Sequence, residues 1–540
     1  ASITRVTTQR RTLHLDDPAL NALRQPFDGV VLEEAADENR FILAEGPFRF
    51  YERRLEIAPG TDGDRTQRTV IETTTWKLDI PVFWVIVWFP FWWHVRGGQA
   101  NPAPWWAPGD RLDARAGRVI GLLGVLAIVN GFLGTIIGQT LTFAADEFCT
   151  EFAIEANGRR GCIDPDHDIS ARANVFSFVR VSIFLSLLLT VAADRVGRKR
   201  ALVFAVAISC TATFAGAFAP SLDALTASQV VARGLATGVS ILIGVFAAEE
   251  LPTKSRAYGV SMLLLLAGFG SGIVVWILPA ADIAVWGWRL VYGAAALFIP
   301  VVLWVGTQLP TSRRFAIVDH QRLATSLAEL FSNPTLRKRL FLLGVAAMLG
   351  AFFANPASQF DNQFLRDELG FSASRISLFT VLTSTPVGIG VMAGGILADK
   401  IGRRPIGAFG TAVGASMTVL SFFAGPIAIF PIRAIGVILG AGFAVAGLAV
   451  YGPELFPTRL RSTANGVITA FAVVGTVTGL QVVGRLAERF DAFGPALAIA
   501  AIGPAIVVIL ILTLYPETAN RTLEAINDEP DLAGEDPPDS

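Results

Sequence analysis

Arg180 and Arg233 offer the most chemistry in this sequence, because each stands inside an apolar run. An ionised side chain at the centre of a membrane helix costs about 2.5–3.5 kcal/mol unless it is paired or hydrated. Arg180 precedes Asp194 by 14 residues and Arg233 precedes Glu249 by 16. At the helical rise per residue, both arginines are set roughly 21 to 24 Å back from those acids, at one shared depth. No acidic side chain stands at that depth in the same half of the chain. Two guanidinium groups at one level suit a carboxylate or phosphate, whose oxygens match their planar donors. The alternative is that one or both arginines bond helix carbonyls or nearby amides such as Asn130 and Gln139.

Other polar groups interrupt the apolar runs. Asn355 and Gln359 fall on one helix face at i and i+4, and Gln481 adds a third amide. Amides suit a polyol or a carboxylate; equally, they bond neighbouring helices inside membranes. Asp146 and Glu147, at the far end of the first long run, are candidates for relaying protons, against the plainer reading of a solvated helix end. The histidines His14, His94, His167 and His320 are scattered, and no nucleophile–base grouping stands out. Neither a metal, a cofactor nor an enzymatic activity is expected. Gly436 with Gly440, and Gly475 with Gly479, read as close helix packing, because none follows a strand or opens a phosphate-binding helix.

A second set of residues recurs along the chain. Asp194-Arg195-Val196-Gly197-Arg198-Lys199 returns 205 residues later as Asp399-Lys400-Ile401-Gly402-Arg403-Arg404. Glu249, Pro252, Thr253 and Arg256 return at the same offset as Glu454, Pro457, Thr458 and Arg461. Two motifs sharing one offset imply two parallel halves, the arrangement in which a substrate site forms between rocking bundles near the membrane midplane. Gly197 and Gly402 permit a tight turn between helices, while Asp194 and Asp399 pair with the following arginines or cap the next helix. With Arg198, Glu249, Arg256, Arg403, Glu454 and Arg461 they form candidate gates; the alternative is that the basic residues only anchor the topology.

The elements that must position these residues follow from composition. The chain has 540 residues, 52% hydrophobic and only 16% charged, with mean hydropathy +0.53, which excludes a soluble enzyme. A net charge of −1 sets nucleic acid aside as a partner. About twelve runs are long enough to cross hydrocarbon, centred near Leu126, Phe184, Ser209, Gly238, Ala267, Leu297, Ala351, Gly388, Ala415, Gly440, Val474 and Val507. Lys and Arg cluster in alternate loops, at Arg195–Arg200, Lys254–Arg256, Arg313–Arg339, Lys400–Arg404 and Arg459–Arg461. By the positive-inside rule these loops and both termini are expected to be cytoplasmic, in a plasma or inner membrane. The loop around Cys149 and Cys162 then faces outward, where a bridge between them is permitted; Cys210 lies within an apolar run. No signal-peptide pattern opens the sequence, so an internal helix is expected to direct insertion.

The expected fold is therefore an all-α membrane protein, with twelve transmembrane helices in two six-helix pseudo-symmetric bundles and a small cytoplasmic N-terminal extension. Residues 1–79 form that extension, with strands over Phe48–Ile57 and Arg68–Leu78. Residues 80–94 carry Trp84, Trp88, Trp92 and Trp93 with Pro81 and Pro90, which favours a segment lying in the membrane interface over a thirteenth crossing. The bundles cover 117–308 and 340–515, separated by a cytoplasmic loop over 309–339 and followed by an acidic tail over 516–540.

The repeated loops resemble the signature loops of the major facilitator superfamily. Tyr451-Gly452-Pro453-Glu454-Leu455-Phe456-Pro457-Thr458, with Arg461, resembles its sugar-porter-like and metabolite–proton symporter branches, and Pro516-Glu517-Thr518 with Arg521-Thr522-Leu523-Glu524 is similar to the sugar porters' closing motif. The resemblance covers about Arg118 to Ile526 and implies a rocker-switch secondary transporter whose first, fourth, seventh and tenth helices line the cavity. It also aligns Arg233 with a fourth-helix arginine implicated in proton coupling or substrate contact. Departures accompany it: Thr190 and Thr237 replace glycines, Asn130 and Gln139 stand in a first helix where sugar porters carry an aspartate, and the Gly-Pro pair of drug antiporters is missing from Ala257–Pro279. The expectation is a monomer among membrane lipids that moves a small organic anion with protons as coupling ion. The alternatives are a sugar or polyol porter, a lipophilic-compound exporter and a non-transporting membrane sensor.

Overall fold

A computed structural model describes residues 6–57, 68–97, 111–149, 152–154, 160–162, 169–252, 255–311, 323–448, 451, 455–457 and 460–518. The chain opens with β1 (Thr7–Leu15), α1 (Asp17–Leu23), β2 (Leu32–Asp37), β3 (Arg40–Glu45), β4 (Phe48–Ile57) and β5 (Arg68–Leu78). The strands form one antiparallel sheet in the order β1-β5-β4-β3-β2. The expected strands match β4 and β5; β1, β2, β3 and α1 were not foreseen. Along β5, burial alternates with period two, the pattern of a sheet with one covered face. Trp76, Phe48, Tyr51 and Leu78 form that covered face, and Phe91 of α2 (Trp84–Gly97) packs on it. Asp16 caps α1, accepting from the Ala19 amide at 3.0 Å.

A buried polar network ties the sheet to its neighbouring segments. Arg53 and Glu33, each 3% exposed, bond at 2.6 Å, and Arg53 also donates to the Leu23 and Gln25 carbonyls. The Tyr51 hydroxyl donates to Glu33 at 2.8 Å. Burial first, and the Glu33 charge second, hold the Tyr51 phenol well above its ordinary value, so it stays a donor at neutral pH.

The helical body follows: α3 (Ala114–Phe148), a short hairpin of β6 (Phe152–Ile154) and β7 (Arg160–Cys162), α4 (Ile169–Val181), α5 (Ile183–Val196), α6 (Arg198–Gly216), α7 (Leu222–Glu250), α8 (Arg256–Ile277), α9 (Trp288–Gly293) and α10 (Ala295–Gln308). The second half comprises α11 (Leu323–Ser332), α12 (Pro334–Gln359), α13 (Asp361–Asp367), α14 (Ala373–Ser384), α15 (Val387–Ile401), α16 (Arg403–Ser421), α17 (Ile429–Ile435), a π-helical stretch (Gly436–Gly442), α18 (Phe443–Leu448), α19 (Arg461–Phe490), α20 (Phe493–Ala500) and α21 (Ile502–Leu514). Side-chain caps start several of them: Asp113 for α3, Ser221 for α7, and Asn333 with Pro334 for α12.

Nine helical segments among the described residues are long and apolar enough to cross a membrane. All twelve expected centres lie on helices. The run near Phe184 is broken at Ser182 between α4 and α5, and the run near Gly440 passes through the π-helical stretch, so neither forms one long α-helix. The repeat is visible in space: α6 and α16 begin and end at the same 205-residue offset that separates Gly197 from Gly402. Within the expected loop over 309–339, Leu323–Ser332 is helical and α12 starts at Pro334. Close packing at Gly475 and Gly479 is direct: a β-carbon at either would meet the Met348 or Phe352 carbonyl oxygen at 2.0 or 2.2 Å.

Candidate functional site

Arg233 sits mid-way along α7, half-buried, and its guanidinium makes no hydrogen bond or ion pair with any described residue. It lies within electrostatic range of Arg180 and of the Tyr292 hydroxyl. One turn before it, Gln229 is 0% exposed and both its amide atoms lack partners among the described residues. The reading of the sequence missed Gln229, although its i, i+4 spacing from Arg233 is a signal of a shared face. Tyr292 completes this polar region, its hydroxyl accepting from Thr140 of α3 at 3.3 Å, both fully buried.

Arg180, at the last turn of α4, differs from Arg233. Its Nη2 donates to Asn355 Oδ1 on α12 at 3.0 Å, so it already bridges the two halves. The expected pair of free arginines is thus one bonded and one without a bonded partner among the described residues. The amides divide in the same way. Gln481 donates to Asn174 and Ser177 of α4 at 2.9 and 3.0 Å, and Gln139 accepts from Asn362 at 3.0 Å. Both join helix to helix across the halves. Asn130 donates to Ser240 at 2.7 Å but leaves its buried Oδ1 without a partner among the described residues. Gln359 faces Gly138, and its buried Oε1 likewise has no partner among the described residues. Arg233, Gln229, Asn130 and Gln359 therefore carry donors or acceptors with spare capacity.

At the Asp146 end of the bundles, ion pairs cross between the halves. Asp146 pairs with Arg172 at 3.4 Å and with Arg366, and Arg172 also reaches Asp367 at 3.5 Å. Asp282 caps α14, accepting from the Ala373 and Ser374 amides at 2.8 and 2.7 Å. Glu147 holds Arg289 at 3.0 Å and the Trp288 indole at 2.6 Å within the first half. Neither acid is merely a solvated helix end. A further pair, missed in the sequence, links Asp361 of α13 to Arg433 of α17 at 2.7 Å. The signal was present, since Arg433 interrupts an apolar run.

At the opposite end, ion pairs and caps form within each half. Arg198 pairs with Glu249, and Arg115 with Glu250 at 3.0 Å. Glu517 accepts from the Arg403 and Arg404 amides at 2.9 and 3.2 Å and so caps α16, while Arg403 Nη1 donates to Thr518 at 3.0 Å. The side chains of Asp194, Arg256, Asp399 and Arg461, and all of Glu454, lie outside the described residues. Gly197 and Gly402 have φ of +100° and +118°, which favours glycine at both turns. A β-carbon at Gly402 would also come within 2.7 Å of Glu517 Oε2, whereas one at Gly197 meets no described atom within 4 Å. Gly402→Ala is therefore expected to lower stability by more than the roughly 1–3 kcal/mol of backbone strain that Gly197→Ala incurs. Thermal unfolding of the two purified variants checks that order.

Two pseudo-symmetric helical halves meeting along a polar seam define a membrane transporter. The sequence model of the major facilitator superfamily matches residues 123–361, and that of sugar (and other) transporters matches residues 318–529. The chain belongs to the major facilitator superfamily, as a transporter and not an enzyme. It is 26% identical over 346 residues to the cis,cis-muconate transport protein of Acinetobacter baylyi, covering 59% of this chain and 80% of that one. It is 27% identical over 364 residues to an inner membrane metabolite transport protein of Escherichia coli, covering 61% and 80%. Among solved structures, the inward-open xylose transporter of E. coli aligns at TM-score 0.59 with 16% identity, covering 76% of this chain and 99% of that one.

Proposed function

We propose that the chain moves a small organic anion by alternating access, as a proton-coupled monomer, with Arg233 as the main anion-binding group. The observation that carries this reading is the Arg233 guanidinium: half-buried, deep in α7, and without a hydrogen-bonded or ionic partner among the described residues. A charge at that depth is stabilised when an anion supplies the missing oxygens. Gln229, Asn130 and Gln359 offer further hydrogen bonds to the rest of such a solute. The muconate relative supports the chemistry, since muconate is a dicarboxylate.

The Asp146 end faces outward in this reading and the Gly402 end faces the cytoplasm, following the distribution of Lys and Arg. Asp146, Arg172, Arg366 and Asp367 then form the outer closure between the halves, and protonation at Asp146 or Asp367 weakens it. Uptake into proteoliposomes of a panel of mono- and dicarboxylates, sugars and polyols, with and without an imposed proton gradient, tests the proposal. Saturable carboxylate flux stimulated by the gradient is the expected result. Flux of sugars or polyols alone overturns the anion reading.

A further inference from the structure

We propose that α2 is a membrane-interface anchor, which seats one face on the N-terminal sheet and inserts the other into the lipid headgroup region beside α3. The two faces are separated by residue. Phe91 is 6% exposed and packs with Trp88 and Trp92 on the Trp76 core. Two bonds fix that side: the Trp88 indole donates to Thr7 at 2.9 Å, and Gln9 donates to the Trp92 carbonyl at 2.9 Å. Val82, Val85, Ile86, Phe89 and Trp93 lie on the other side, exposed by 50, 61, 72, 59 and 63%. Within α2, the last four repeat at three- and four-residue intervals and make one continuous apolar stripe.

Continuity with the membrane-spanning surface identifies the occupant. The segment leading into α2 runs along the first turns of α3, which is itself a candidate membrane span. A β-carbon at Gly121 would meet the Pro81 carbonyl oxygen at 3.0 Å, and one at Gly124 would meet the Phe83 ring at 3.1 Å. Arg118 pairs with Asp79 at 2.6 Å, and Arg111 donates to the Gly29 carbonyl at 2.9 Å, so the sheet is fastened to the same helix end. Gly124 also touches Leu266 of α8, where Leu264 and Leu265 are 68 and 69% exposed on the surface that hydrocarbon must cover. The stripe on α2 therefore starts where the lipid-facing surface of α3 and α8 enters the interface. Its tryptophans suit that depth, and exposed Arg96, set over the Trp92 ring at 5.2 Å, places a cation beside anionic headgroups. At 14 residues, with its opposite face on a sheet, α2 is too short and too committed to cross.

The test is a nitroxide attached to the full-length protein in lipid nanodiscs. Cys149 is disulfide-bonded and Cys210 is buried, so the parental protein should label weakly, which is checked first. Labels at Ile86→Cys and Phe89→Cys are expected to collide more with oxygen than with a water-soluble nickel chelate, and a label at Arg10→Cys on the sheet edge should show the reverse. Val85→Cys reads the same stripe if Phe89→Cys fails to fold. Preference for the nickel chelate at 86 and 89 overturns the proposal, because the stripe then faces water. Low collision with both probes also overturns it, because a second protein surface then covers the stripe.

Discussion

Replacing Arg233 with glutamine should weaken binding of a carboxylate solute by about ten- to a hundredfold, the equivalent of roughly 1.5 to 3 kcal/mol for a charge-assisted hydrogen bond. The reasoning starts from the guanidinium's lack of a bonded partner among the described residues. A structural arginine would leave a carbonyl or carboxylate stranded on removal; this one leaves no described partner behind. The melting temperature should therefore hold while affinity falls. Arg233→Lys should stay impaired, since an ammonium keeps the charge and loses the fork of donors.

Arg180→Gln should behave differently, losing the 3.0 Å bond to Asn355 and loosening the contact between α4 and α12. Its larger effect is expected on the rate of cycling. Binding and thermal unfolding measured on the same preparations separate the two arginines. Unchanged affinity in Arg233→Gln would remove the anion-binding assignment.

The contrast between those arginines shows where the sequence was informative. Their placement inside apolar runs and their common depth are matters of spacing, and spacing is legible because the helical rise is fixed. The 205-residue repeat was legible for the same reason, and the matched ends of α6 and α16 follow from it. Which arginine is bonded was not legible, because Asn355 lies 175 residues away and meets Arg180 only after the halves assemble.

Glu517 illustrates the same limit. Asp399 was expected to pair with the arginines that follow or to cap the next helix; its side chain lies outside the described residues, and the described cap on α16 comes from Glu517, more than a hundred residues after Arg403. The sheet failed in a different way. Leu32–Asp37 and Arg40–Glu45 are short strands, and β2 carries several acidic residues, so period-two alternation is faint, whereas β4 and β5 are long enough to display it.

Asp361→Ala should produce the largest loss of stability, about 3–5 kcal/mol, because it strands Arg433 in a low-dielectric setting. The pair bonds at 2.7 Å with side chains only 14 and 19% exposed, and Arg433 Nε already lacks a hydrogen-bond partner among the described residues. The guanidinium also lies 5.4 Å from the Phe422 ring and 5.9 Å from the Phe379 ring, aromatic neighbours that cannot replace a carboxylate's two acceptor oxygens. Arg433→Met should cost a similar amount by stranding Asp361. Joining Asp361→Leu with Arg433→Met removes both charges at once, and should recover most of the loss, since neither desolvation penalty is then left uncompensated. Unfolding midpoints of the two singles and the double decide the matter: additive losses would show that the two groups do not depend on each other. Flux through the folded double variant then asks a separate question. The pair joins α13 to α17, next to the π-helical stretch at Gly436–Gly442, so a stable double variant that no longer transports would assign the charges to the conformational cycle and not only to the fold.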